Sequence, residues 1–175
     1  MRGMMRSAPQ RTFKTCLLPL LFGGAITGID AASAQEAVYL IRHAEKAEGE
    51  DPALLPEGRD RAAAWAGMLQ RGEIDVVLTS DAVRTRETGG IIARALDIPT
   101  EALAASDVTG LVDLMTFDHE EDRVLVVGHA ETLPAILEGL GVGAGIEIDQ
   151  DDFGNLFVVF RPGTENAGFM WLTTP

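Results

Sequence analysis

The chain has 175 residues, 46 % of them hydrophobic, with 27 Asp and Glu against 14 Lys and Arg, for a net charge of −13. That size and composition suit one ordinary folded domain with a real core. The charge excludes nucleic acid and anionic membrane surfaces as partners, because both are bound through clustered Lys and Arg. The one cysteine, Cys16, excludes a disulfide framework.

In chain order the first feature is a leader. Arg2, Arg6, Arg11 and Lys14 make a basic start, and Cys16 to Ile29 is mostly apolar. Ala32-Ser33-Ala34 then supplies small residues at the positions that count. The pattern predicts a secretory signal peptide over residues 1–34, cleaved before Gln35. A retained anchor fits less well, since the apolar stretch falls short of the ~20 residues a span needs and contains Pro19, Gly23 and Gly24. The expected product is one exported domain, residues 35–175, periplasmic or secreted, with no membrane insertion of its own. It would carry ten basic and 26 acidic residues, a charge of −16, with Lys46 as its lone lysine.

The apolar run Ala37–Ile41 reads as a buried strand that ends in Arg42-His43-Ala44-Glu45. Residues 47–57 are acidic and Pro-containing and read as a loop. Pro56 opens a helix to about Arg71, with Ala62, Trp65, Ala66 and Leu69 as its buried stripe, Gly58 serving the helix start and Gly72 the C-cap. Asp75–Thr79 reads as a strand and Ala82–Leu96 as a helix, with Ser80 as a cap before it. Pro99–Leu103 reads as a short strand. Residues 104–122 are ambiguous, with one helix around Leu111–Met115, and His119 among four acids reads as exposed. Arg123–Val127 is the clearest strand, followed by Gly128-His129 and a helix over Glu131–Leu140. After the flexible turn Gly141–Gly145, Leu156–Phe160 and Phe169–Thr173 read as two strands. Trp65 and Trp171 read as core. The alternation predicts an α/β three-layer sandwich: a largely parallel sheet, helices on both faces, and a C-terminal strand pair.

Three strands thus end in residues that packing does not explain: Arg42-His43, Thr79-Ser80 with Arg84 one turn later, and Gly128-His129. In parallel neighbours these ends share one edge of the sheet, where ligands bind in open α/β folds. Two arginine forks suit the oxygens of a phosphoryl group. A neutral imidazole can attack phosphorus, and the helix near Glu131 can aim N–H groups at the anion. Two arginines beside two histidines would repel a cation, so no metal is expected.

Leu40-Ile41-Arg42-His43-Ala44-Glu45-Lys46, the Leu55-x-Pro-Glu-Gly58 run (as Leu55-Pro56-Glu57-Gly58 here), Thr79-Ser80-x-x-x-Arg84-Thr85-x-x-Thr88 and Val126-Val127-Gly128-His129 resemble, in order, the histidine phosphatase superfamily, the phosphoglycerate-mutase-like group. The resemblance runs from Val38 to about Pro134. It implies His43 as the nucleophile that becomes phosphohistidine, Arg42 and Arg84 as phosphate clamps, and His129 as the second histidine on the transferring phosphate. It implies no cofactor. The expected activity is hydrolysis of a small phosphorylated substrate or a phosphorylated envelope component, by a small member without a large lid. No oligomeric state follows from the sequence.

The general acid has no clear motif. Asp107 lies in the window where larger members place one. The position after the second histidine, an Asp in another branch, is Ala130 here, with Glu131 next. Glu131 and Asp107 are therefore the candidates. Glu45 is a candidate substrate contact. The rival expectation is a non-catalytic phosphate- or phosphoglycan-binding module on the same fold, since fold alone confers no activity.

Overall fold

Short apolar runs alternating with helical stretches build a single mixed sheet with helices packed on both of its faces. The structure is a computed structural model and describes residues 37–174. The expected signal peptide, residues 1–34, and its cleavage point before Gln35 lie outside the described residues. The elements are β1 (Ala37–Arg42), α1 (Pro56–Leu69), β2 (Val76–Ser80), α2 (Val83–Leu96), β3 (Thr100–Leu103), α3 (Val108–Phe117), β4 (Val124–Gly128), α4 (Leu133–Gly139), β5 (Asn155–Phe160) and β6 (Gly168–Thr173). The strand order is β3-β2-β4-β1-β5-β6. The first four strands are mutually parallel, and β5 and β6 run antiparallel. This is the α/β architecture with a C-terminal strand pair that the sequence predicts.

Strands β1, β2 and β4 are apolar up to their last residues because both of their faces are covered. Alternate residues point to opposite sides. Val38, Leu40, Leu78, Val124 and Val126 meet Met115 of α3 and Leu133, Ile136 and Leu137 of α4. Ile41, Val77, Leu125 and Val127 meet Trp65 and Leu69 of α1 and Ile92 of α2.

Several local readings change. Helix α4 starts at Leu133, not Glu131, because the amides of Thr132 and Leu133 both donate to the His129 carbonyl and make a turn first. Those two amides are therefore spent and do not face an anion. Helix α3 is longer than expected, and Asp107 caps it by accepting from Gly110 N at 2.9 Å. Helix α1 stops at Leu69, so Gly72 is not its C-cap but donates back to the Leu69 carbonyl.

His119 is buried rather than exposed. The Asp118 and His119 amides both donate to the Leu114 carbonyl, which curls the chain and places the ring between Asp122, 2.7 Å away, and Glu101, 3.5 Å away. Trp65 is fully buried, but Trp171 is 46 % exposed because β6 is an edge strand. Trp171 lies against Phe157 and donates to Asn155 Oδ1 at 2.8 Å.

Gly58 does more than start a helix. A Cβ there would lie 2.2 Å from the Glu45 carbonyl oxygen, which also accepts from Leu55 N at 3.0 Å. The glycine lets α1 seat directly against the loop that follows His43. Backbone cannot yield as a flexible side chain can, so Gly58→Ala should cost about 2–3 kcal/mol and lower the thermal midpoint by roughly 5–10 °C. Thermal unfolding followed by circular dichroism checks this, and an unchanged midpoint would contradict it.

Candidate active site

Parallel register assembles the site. Arg42 lies opposite Gly128, and the His43 amide donates to the Gly128 carbonyl at 2.9 Å. On the other side of β4, Thr79 lies opposite Val127, which brings Ser80 level with Gly128. The ends of β1, β4 and β2 thus present His43, His129 and Ser80 side by side. The two imidazole centroids are 5.3 Å apart in an edge-on arrangement.

The tautomer of His43 follows from its partner. Its Nδ1 lies 2.8 Å from the Ala44 carbonyl oxygen, which can only accept. Nδ1 therefore carries the proton, and Nε2 holds a free lone pair. Burial lowers the pKa of His43 to about 4; the carbonyl hydrogen bond opposes this, and the positive charges of Arg42 and Arg84 reinforce it. The imidazole is neutral at physiological pH. Its loop is fixed by Thr88 of α2, whose hydroxyl accepts from Ala44 N at 3.1 Å and donates to the Arg84 carbonyl at 2.8 Å.

His129 has the opposite tautomer. Arg84 Nη2 lies 3.3 Å from its Nδ1, and a guanidinium can only donate. Nδ1 accepts, so Nε2 carries the proton and donates to Ser80 Oγ at 2.8 Å. Ser80 in turn donates to Thr85 Oγ1 at 2.7 Å, and Thr85 donates to the Ala82 carbonyl at 2.8 Å. Burial, then Arg84, lowers the pKa of His129. Ser80 is thus the anchor of the second histidine and not the cap expected from sequence. The Val83 amide is taken by Asp51, from 32 residues earlier, at 2.9 Å.

Arg42 is almost fully buried, and one side of its guanidinium is occupied. Nη1 donates to the carbonyls of Asp149, Gln150 and Asp152, and Phe153 lies 4.1 Å from the guanidinium carbon, face on. Nη2 makes only a long bond, 3.4 Å, to the Gln150 side chain. Nε has no partner, and neither does Nε of Arg84. One buried and one half-buried guanidinium with open donors beside a free imidazole lone pair form a ready oxyanion site.

The expected carboxylates take different places. Glu45 accepts from Arg61 of α1 at 2.7 Å through Oε1, while its buried Oε2 has no hydrogen-bond partner. Burial raises its pKa, but the Arg61 hydrogen bond, a backbone hydrogen bond and the charges of Arg61 and Arg42 together hold it below the usual range. Glu131 lies in the turn before α4 and accepts from Gln150 Nε2 at 2.9 Å. Burial pushes its pKa up, and hydrogen bonds and the charges of His129 and Arg42 pull it further down. Asp107 caps α3 while lining a hollow shared with Ser80, Leu103 and His129. Among the described residues no group of three or more His, Cys, Asp or Glu side chains could hold a metal ion.

The segment 149–153 is the part sequence reasoning missed. It precedes β5, whose antiparallel register sets Leu156 opposite Ile41. The residues before β5 therefore return to the edge where β1 ends. The only sequence hint is an acidic run closed by Phe153 ahead of a strand-like segment.

Residues 38–107 match the family model of the histidine phosphatase superfamily, branch 1. Several solved structures share the fold. A proposed phosphohistidine phosphatase, SixA, from Agrobacterium tumefaciens is 23 % identical, with a TM-score of 0.61 over 80 % of this chain and 99 % of that one. A second proposed SixA, from Nakamurella multipartitia, is 24 % identical with a TM-score of 0.53, covering 71 % of this chain and 83 % of its own. A proposed alpha-ribazole-5'-P phosphatase from Escherichia coli is 15 % identical with a TM-score of 0.61, covering 80 % and 97 %. No curated protein matches the chain. Residues 38–107 of this chain thus carry the similarity to the histidine phosphatase superfamily, and the solved structures show the shared fold.

The two opposed tautomers are directly measurable. Nitrogen NMR of labelled imidazoles should show His43 protonated at Nδ1 and His129 at Nε2. Arg84→Ala, which removes the donor at Nδ1, should turn His129 into a tautomer mixture and leave the His43 tautomer unchanged. A wild-type His129 protonated at Nδ1 would refute this assignment.

Proposed function

We propose that the chain is a phosphatase that hydrolyses phosphate monoesters or phosphoramidates through a phosphohistidine on His43. One observation carries this reading. The Nδ1–H of His43 is fixed on the Ala44 carbonyl, so the Nε2 lone pair is available beside two guanidiniums with open donors.

In the first half, the Nε2 lone pair forms a bond to phosphorus. The bond to the leaving oxygen or nitrogen breaks, and its electron pair goes to that atom. Arg42 and Arg84 stabilise the equatorial oxygens, where charge accumulates. The leaving atom takes a proton from the substrate's own phosphoryl hydroxyl or from a nearby acid. Glu131 suits this donation poorly, because its depressed pKa keeps it ionised at neutral pH. It suits the second half, where a carboxylate takes a proton from the water that attacks phosphorus and the P–N bond breaks back to the imidazole. His129, held neutral by burial and by Arg84, adds no charge of its own beside His43.

The basic leader and the apolar stretch before Gln35 support action outside the cytoplasm, on a small phosphate ester or a phosphorylated envelope component. Mass spectrometry of the exported protein should then give a chain beginning at Gln35.

The test is hydrolysis of an aryl phosphate by the purified chain, with trapping of acid-labile phosphoenzyme. His43→Ala should abolish both turnover and label. Arg84→Ala should lower kcat/KM by about two orders of magnitude or more, the scale of losing one preorganised donor to a transition-state oxyanion. The sign of the pH dependence follows from burial. A pKa lowered to about 4 keeps His43 neutral down to that pH, so activity should persist through pH 5 and fall only near pH 4. An acid limb at the ordinary histidine value, near pH 6.5, would contradict the assigned nucleophile. Phosphate binding without any phosphoenzyme would instead make the chain a binding module.

A further inference from the structure

The floor of the site is positive, and its rim is not. The strongest opposite charges acting on Arg42 are Glu131, Asp151 and Asp152. Glu131 and Asp81 act on His129. Asp51 reaches Arg84 from a fourth loop, at 3.5 Å. Five carboxylates from four separate loops therefore surround one phosphate-sized positive spot.

The positive side chains acting on the two histidines are Arg42 and Arg84. Both have a place at a single phosphoryl group. Arg42 is 4 % exposed, with an unpartnered Nε, and Nε of Arg84 is likewise unpartnered. The α1 guanidiniums are engaged elsewhere, Arg59 with Glu87 and Arg61 with Glu45. A second anionic group on a substrate would find the arginines taken and carboxylates around it. A leaving group carrying an ammonium would meet only attraction at the same rim. A carboxylate roughly 7 Å from a unit charge through solvent shifts affinity by about two- to threefold at low salt, and several in one rim compound that factor.

We infer that the site selects phosphate esters whose leaving alcohol or phenol bears a cationic amine. The inference rests on the phosphatase reading above and adds the charge class of the leaving group. Asp151 and Glu131 act on Arg42 from different loops. Asp152 is held in place by accepting from Gly154 N and Asn155 Nδ2, so its field acts at a fixed point.

The experiment compares three probes of similar size and similar phenol leaving ability: para-(aminomethyl)phenyl, para-methylphenyl and para-(carboxymethyl)phenyl phosphate. At low salt kcat/KM should fall in that order, with about tenfold between the first and the last. The spread should collapse between about 0.01 M and about 1 M salt, as the Debye length shrinks from about 30 Å to about 3 Å. Asp151→Asn, on an exposed residue outside the phosphate contacts, should narrow the spread by about twofold and leave the neutral probe unaffected. Hydrolysis of all three with an equal or reversed order overturns the inference and leaves the phosphatase reading intact. An order that survives high salt unchanged also overturns it, because intrinsic leaving-group chemistry would then be the cause. Hydrolysis of none of the three overturns both.

Discussion

The parallel pairing of β1 with β4 is the constraint on which the rest of the site depends. It sets Arg42 opposite Gly128 and joins the His43 amide to the Gly128 carbonyl. A strand's side chains alternate, so a slip of one residue would send one histidine to the wrong face. The core enforces the register. Val38, Leu40, Val124 and Val126 point to the α4 face, and Ile41, Leu125 and Val127 to the α2 face, with all seven buried. The hydrophobic pattern that makes the sheet also places the chemistry, and no separate device aligns the imidazoles.

Electrostatics then sorts what register brings together. Four potential cations converge in a buried space, and the structure keeps only two of them charged. Burial and the neighbouring guanidiniums hold both histidines neutral. Donor-only and acceptor-only partners decide their tautomers in opposite senses. A carbonyl takes the His43 proton onto Nδ1, and a guanidinium forces the His129 proton onto Nε2. One histidine gains a free nucleophilic nitrogen, and the other becomes a fixed, uncharged neighbour through Ser80 and Thr85.

What the sequence makes legible follows from the range of the interactions. The strand ends are visible because Arg42-His43 and Gly128-His129 interrupt apolar runs, and Arg84 because it falls one turn after a strand. Ser80 departs from its expected role as a cap for a reason no local pattern carries. The helix amide that Ser80 stands nearest is taken by a loop 32 residues earlier, which leaves Ser80 for a histidine 49 residues later. His119 and Trp171 mislead for a related reason. Acidic flanks suggest exposure, yet two of those acids fold onto the His119 ring. An apolar strand suggests a core, yet β6 is an edge strand of the sheet and its apolar side chains are exposed.

The largest contribution invisible to sequence comes from strand direction. Had β5 run parallel to β1, residues 149–154 would sit at the opposite edge of the sheet. Because it runs antiparallel, they arrive beside Arg42 and surround its Nη1 with carbonyls. A buried guanidinium left wholly unpaired is costly. One paired on the far side and open at Nε is held in place without being used up. The same segment brings the charges of Asp151 and Asp152 to bear on Arg42, so the element that holds the guanidinium in place also sets negative charge around it. Rigidity of the clamp and charge discrimination at the rim are thus one consequence of a single reversed strand. Discrimination of the leaving group comes from the field of loops that do not touch the phosphate at all.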